Sequence, residues 1–239
     1  MTKTDTIPED HRVRVGAQRR EKTRLRLLQS AVEVFNQKGM DASVIDDVIV
    51  AAGVSRGTFY NYFSTSAELV RALVVAMSDE IVTVINPIVM TIEDPLVRLS
   101  YGARTYIKIA ALHPAWGRII TNIGPRLATR GQLIDRRLKR DLTEALGRKR
   151  IAIRDLLAAR DAVLGAIFYG METMLLEPTD EQHAEHLVAT FLRGLGVDPA
   201  EADEIAFMPL PDIGPIQGPI FSSMPEPGKP ARLAASPRR

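Results

Sequence analysis

Apolar residues recur at intervals of three and four along almost the whole chain, and no stretch shows the strict alternation of a half-buried strand. That periodicity confines the chain to an all-α fold. At 239 residues, 46% of them apolar, it can bury a sizeable core as one domain or as a small domain joined to a larger one. No uninterrupted apolar run approaches the ~20 residues that cross a bilayer, the start of the sequence is charged rather than greasy, and there is no cysteine. The expectation is therefore a cytoplasmic protein with no membrane partner, disulfide or thiolate metal site. The net charge of +2 is small, but Arg12 to Arg26 holds seven Lys and Arg against the single acid Glu21. A local basic arm on a nearly neutral chain points to an anionic partner.

Residues 1–17 are polar and contain Pro8 and Gly16, which predicts a flexible basic arm. From Gln18 to Lys38 a stripe of Leu27, Leu28, Ala31, Val34 and Phe35 predicts an amphipathic helix stopped by Gly39. "SVID" then reads as a capping box, Ser43 with Asp46, opening a second helix of about ten residues that ends at Gly53. In "AGVSRGTFYNYF", Gly53 can take positive φ, Val54 fills the corner and Ser55 caps a third helix. Four of the chain's twelve Phe and Tyr residues lie in this stretch. At 100° per residue Phe59 and Phe63 point inward, whereas Gly57, Tyr60 and Asn61, flanked by Arg56 and Thr58, point away. Short polar donors at the start of an outward face suit a helix lowered into a DNA major groove, and Tyr60 and Tyr62 can reach phosphates.

These residues resemble the DNA-binding domain of the TetR family of bacterial transcriptional regulators. "LLQSAVEVFNQKGMDASVIDDV" followed by "AAGVSRGTFYNYF" is similar to the family's helix one, short helix two, Ala-Gly-Val-Ser turn and recognition helix. Ile49 stands where a small alanine is usual, and Ser66 where the family often has a phosphate-binding lysine. The resemblance implies a three-helix helix-turn-helix domain over residues 18–64, with DNA contacts from Ser43, Ser55, Arg56, Gly57, Thr58, Tyr60, Asn61 and Tyr62. It also implies a larger helical ligand-binding and dimerisation domain over 65–200. The implied function is a ligand-responsive regulator, a repressor released from a palindromic double-stranded DNA operator by a small-molecule effector. An architectural DNA-binding protein without an effector, or a helical enzyme, is the alternative.

Beyond Phe63 a capped helix is expected to about Ile85, with further helices over 95–111, 114–122, 126–146, 154–176 and 180–194, three of them opened by Pro95, Pro114 and Pro125 or a neighbour. The segment 154–176 is apolar around most of its circumference and 180–194 could cover one side, so a copy from a second subunit would complete a four-helix homodimer interface. "GVDPAEADEIAF" predicts one last short helix. From Pro209 eight prolines fall in thirty-one residues, which predicts a disordered tail over 209–239. In the family the effector lies between the helix after the DNA-binding domain and those ahead of the dimer interface. There Tyr101, Tyr106, Trp116, Asn122, Phe168 and Met171 are the expected pocket residues. His183 and His186 lack further ligands for a metal, the basic run Arg136, Arg137, Lys139 and Arg140 reads as a solvated face, and no catalytic constellation or cofactor motif is present.

Overall fold

The computed structural model describes residues 8–39, 45–128 and 133–224. Among these residues there are ten α-helices, one short 3₁₀ turn and no strand. The chain divides into two compact units after Leu73.

The first unit contains α1 (Pro8–Lys38), α2 (Ile45–Ala52), α3 (Arg56–Tyr60) and the opening turns of α4 (Ser66–Val89). Leu27, Leu28, Ala31, Val32, Val34 and Phe35 of α1 are buried with Val48, Ala52, Phe59, Phe63, Leu69 and Leu73. The turns have the expected chemistry. Gly39 and Gly53 adopt φ of +81° and +59°, a region in which a side chain would be strained. Ser55 Oγ accepts from the backbone N–H of Thr58 at 3.1 Å and caps α3. At the start of α4, Thr65 Oγ1 accepts from Glu68 N–H at 3.1 Å while the Glu68 carboxylate accepts from Ser64 N–H at 2.7 Å, a reciprocal cap.

One expectation fails here. Residues 8–17 are not a flexible arm, because α1 begins at Pro8. Proline is tolerated in a first helical turn, where its missing N–H has no partner to lose. Gly16 weakens the helix by about 1 kcal/mol without ending it. Arg14, Arg19 and Arg20 therefore project, exposed, from a helix.

The second unit holds the remainder of α4, α5 (Pro95–Leu112), α6 (Pro114–Ala128), α7 (Leu133–Gly147), α8 (Leu156–Leu176), α9 (His183–Gly194) and α10 (Pro199–Phe207). Asp94, Asp155 and Asp198 cap α5, α8 and α10, and Pro95 and Pro199 open the first and last of these. α8 packs against α5, α6, α7 and α9, as its all-round apolar surface requires. At Gly170 a Cβ would lie 2.3 Å from Leu187 Cδ2, so α8 and α9 approach closely there and a larger residue would require Leu187 to move. By length and composition alone α4 could span a bilayer. It spends that apolarity inside the protein, where Leu69, Leu73, Val74, Met77 and Ile81 are fully buried.

Prolines mislead at two boundaries. α4 runs through Pro87 to Val89 instead of stopping at 85, and α6 runs through Pro125 to Ala128, so that α7 opens at Leu133. A proline removes one backbone donor, and close to a helix end that loss does not terminate it.

The tail is also corrected over its first half. Residues 209–224 are docked on the second unit. Tyr101 Oη donates to the Pro209 carbonyl, and Arg104 Nη1 to that of Met208 at 2.7 Å. Ile220 and Phe221 are buried, and their backbone N–H groups donate to the two Glu80 carboxylate oxygens at 2.9 and 2.8 Å. The prolines disfavour a long helix, yet the segment still packs on the body, with Leu210, Ile213 and Ile216 half-buried and Ile220 and Phe221 buried. Residues 225–239 lie outside the described residues.

Candidate DNA-reading surface and effector cavity

In the first unit, α3 presents the outward set where the helical phase requires it. Phe59 and Phe63 are buried with ring centroids 6.0 Å apart, whereas Ser55, Arg56, Gly57, Tyr60 and Asn61 are exposed and Thr58 and Tyr62 half-buried. Ser43 lies outside the described residues. A Cβ at Gly57 would meet only Ser55 Oγ, at 4.0 Å, so packing within the chain gives no reason for glycine there. Ser55 Oγ and Thr58 Oγ1 are 2.8 Å apart and share a hydrogen bond. Arg56 Nη1 lies 3.0 Å from Asp46 Oδ1, with both side chains largely exposed. Such a pair contributes little and can be exchanged for a phosphate. Asp46, expected in a cap with Ser43, is thus engaged by Arg56.

The second unit has a partly open pocket lined by residues of α4, α5, α7 and α8. Val82, Ile85 and Val89 of α4, Leu99 of α5 and Leu164 and Ile167 of α8 give it apolar walls. Asn86, Arg98, Tyr106, Arg137, Arg140 and Asp141 supply its polar groups. Arg98 Nε donates to Asp141 Oδ1 at 2.9 Å, Nη1 to the Ile92 and Glu93 carbonyls, and Nη2 to Glu144. Burial alone would favour its neutral form, but the Asp141 and Glu144 carboxylates outweigh that and hold it charged. Tyr106 Oη and Ser78 Oγ share a hydrogen bond of 2.9 Å, and burial pushes the phenol's pKa up, so it stays neutral.

Of the six expected pocket residues, only Tyr106 lines this cavity. Tyr101 is engaged by the docked tail, with the Arg104 guanidinium 5.5 Å from its ring centroid. Trp116 is fully buried with its ring 5.0 Å from that of Tyr106 and 6.5 Å from that of Phe221. Phe168 and Met171 are buried packing residues outside the lining, and Asn122 is exposed, donating to the Arg118 carbonyl at 2.8 Å. Apart from Tyr106, the buried rings of Trp116 and Phe168 lie outside this lining. The polar groups come instead from the basic run read as a solvated face: Arg137 and Arg140 line the cavity, and Asp135 and Asp141 are buried. A signal was available, since Asp141 stands three residues after Leu138 and one before Leu142, on the apolar stripe of α7. A carboxylate there needs a buried partner. Among the described residues no group of three or more His, Asp or Glu could hold a metal ion, and His186 packs its ring 5.2 Å from that of Phe207.

A helix-turn-helix unit with an exposed α3 face, joined to a helical unit with an apolar pocket, defines the class of protein. Residues 27–73 match the family described as bacterial regulatory proteins of the tetR family, and residues 94–207 the tetracyclin repressor-like C-terminal domain. The chain belongs to the TetR family. It is 44% identical over 48 residues to the uncharacterised helix-turn-helix transcriptional regulator YvdT of Bacillus subtilis, covering 20% of this chain and 25% of that one. It is 34% identical over 61 residues to the regulator TtgR of Pseudomonas putida, covering 26% and 29%. The chain thus spans only about a quarter to a third of the length of these curated relatives. The structure of RolR in complex with resorcinol superposes with a TM-score of 0.68 and 28% identity, covering 83% of this chain and all of RolR.

Proposed function

We propose that the protein is a homodimeric, cytoplasmic repressor that binds a palindromic operator through α3 and is released when a small effector occupies the cavity of the second unit. The observation that carries the reading is the division of labour along α4. Its first turns supply Leu69 and Leu73 to the core of the DNA-reading unit, and its last turns supply Val82, Ile85, Asn86 and Val89 to the cavity wall. Two copies of α3 fit successive major grooves only when held about 34 Å apart. A ligand that binds better when α4 is displaced shifts the population away from that spacing, by no more than its differential affinity for the two states. RolR, similar along its whole length, was crystallised with resorcinol, which supports a small ring compound as the kind of effector. An architectural DNA-binding protein has no use for arginines set into an apolar cavity, which disfavours that alternative.

Selection of binding sites from random duplex DNA with the purified chain tests the reading. A two-fold symmetric site should be enriched, and a chain carrying Thr58→Ala and Tyr60→Ala should fail to enrich it. Absence of any sequence preference would sink the proposal.

A further inference from the structure

The cavity is unbalanced in charge. Three guanidiniums line it, those of Arg98, Arg137 and Arg140, against the single lining carboxylate of Asp141. Glu144, just outside the lining, takes one branch of Arg98, whose other nitrogens are met by Asp141 and two carbonyls. Arg140 shares the same Asp141 oxygen through Nε at 2.9 Å. Three cations therefore face two anions, and Arg137 has no carboxylate within ion-pair distance among the described residues. Its Nε is buried without any hydrogen-bond partner, and so is Nη2 of Arg140, which lies 2.8 Å from Asp141 Oδ1 but in no hydrogen-bonding geometry. The remaining contacts of this pair are weak. Arg140 Nη1 is 2.6 Å and Arg137 Nη1 3.8 Å from the Met90 sulfur, and a thioether is a poor acceptor.

Leaving charged N–H groups buried and unmet is unfavourable, and an ionised acceptor arriving between two guanidiniums relieves it with short, charge-assisted and often bidentate hydrogen bonds. A neutral hydroxyl meets a donor but leaves the excess positive charge uncompensated. Both arginines lie within one turn of α7, while α4, α5 and α8 contribute mainly aliphatic walls. That arrangement suits a compact molecule with an apolar body and one anionic head. Asn86 on α4 offers a neutral amide to any second oxygen on the body. Resting on the reading of this cavity as the effector site, we propose that the effector is a small ring carboxylate whose carboxylate is held by Arg137 and Arg140.

The test is calorimetric titration of the full chain with benzoate and salicylate, and with their neutral counterparts benzamide, phenol and resorcinol. The carboxylates should bind at least tenfold more tightly than the neutral rings. Arg137→Gln should abolish that preference and Arg137→Lys restore part of it, with both variants retaining the wild-type Tm. Arg137 is half-exposed with no ion pair to lose, so neither change threatens folding. Tighter binding of phenol or resorcinol than of benzoate would overturn the anionic effector while leaving the cavity as the ligand site. A carboxylate preference that survives Arg137→Gln would overturn the assignment of the head group. If no ring of either kind binds, the proposal fails, and the reading of the chain as a DNA-binding regulator still stands or falls on the site selection.

Discussion

Phe59 and Tyr60 are neighbours in the chain with opposite fates. Phe59 is fully buried against the ring of Phe63, and Tyr60 is 42% exposed. Phe59→Ala should destabilise the first unit by about 3–5 kcal/mol, the usual consequence of deleting a core ring. Tyr60→Ala should leave the Tm within a degree or two of wild type while weakening operator binding at least tenfold. Thermal melts beside gel-shift titrations separate the two, and an exchange of phenotypes would mean that the helix is out of phase. Gly57 gives a sharper case. With open space around its Cβ position, Gly57→Ala should keep or slightly raise the Tm, because alanine is the better helix former by about 1 kcal/mol. Operator affinity should nonetheless fall, since the added methyl stands on the approaching face. Undiminished affinity would show that no other surface comes close there.

At the scale of elements, the docked segment 209–224 is the feature that a reading of composition misses. Its attachment to α4 depends on one carboxylate: both Glu80 oxygens accept from the backbone, and a Cβ at Gly218 would lie 2.3 Å from Glu80 Oε2. Glu80→Gln replaces one acceptor with an amide donor facing a donor and removes the charge. We expect a loss of about 1–3 kcal/mol, the range for hydrogen bonds to charged groups. Residues 209–224 should become cleavable by protease, and Trp116 emission should change as Phe221 withdraws. Unchanged proteolysis would place the hold elsewhere. The α3 turn, by contrast, was fully legible. Its glycine at positive φ, its serine cap and its inward rings are all fixed within a dozen residues.

For the whole molecule, the proposed homodimer is what would set operator spacing. Along α8, Leu157, Tyr169 and Leu176 are exposed, Tyr169 by 72%, beside small residues such as Ala158 and Ala162. A large ring on a face lined with small side chains suits close packing of a second helix. Tyr169→Glu should therefore raise the dimer dissociation constant at least tenfold by sedimentation and make operator binding steeply concentration-dependent. An unaltered dimer would move the interface off this face. What the sequence alone determined is local: helices written in a three-to-four repeat, caps chosen by Asp and Ser, and a reading helix whose phase follows from counting. Each depends on residues a few positions apart, where backbone geometry leaves little choice. What only the tertiary structure decided is non-local. Arg98 meets Asp141 across 43 residues and Ile220 meets Glu80 across 140, so whether α7's arginines face water or a cavity, and whether a proline-rich segment binds the body, depends on surfaces that exist only after distant helices have packed.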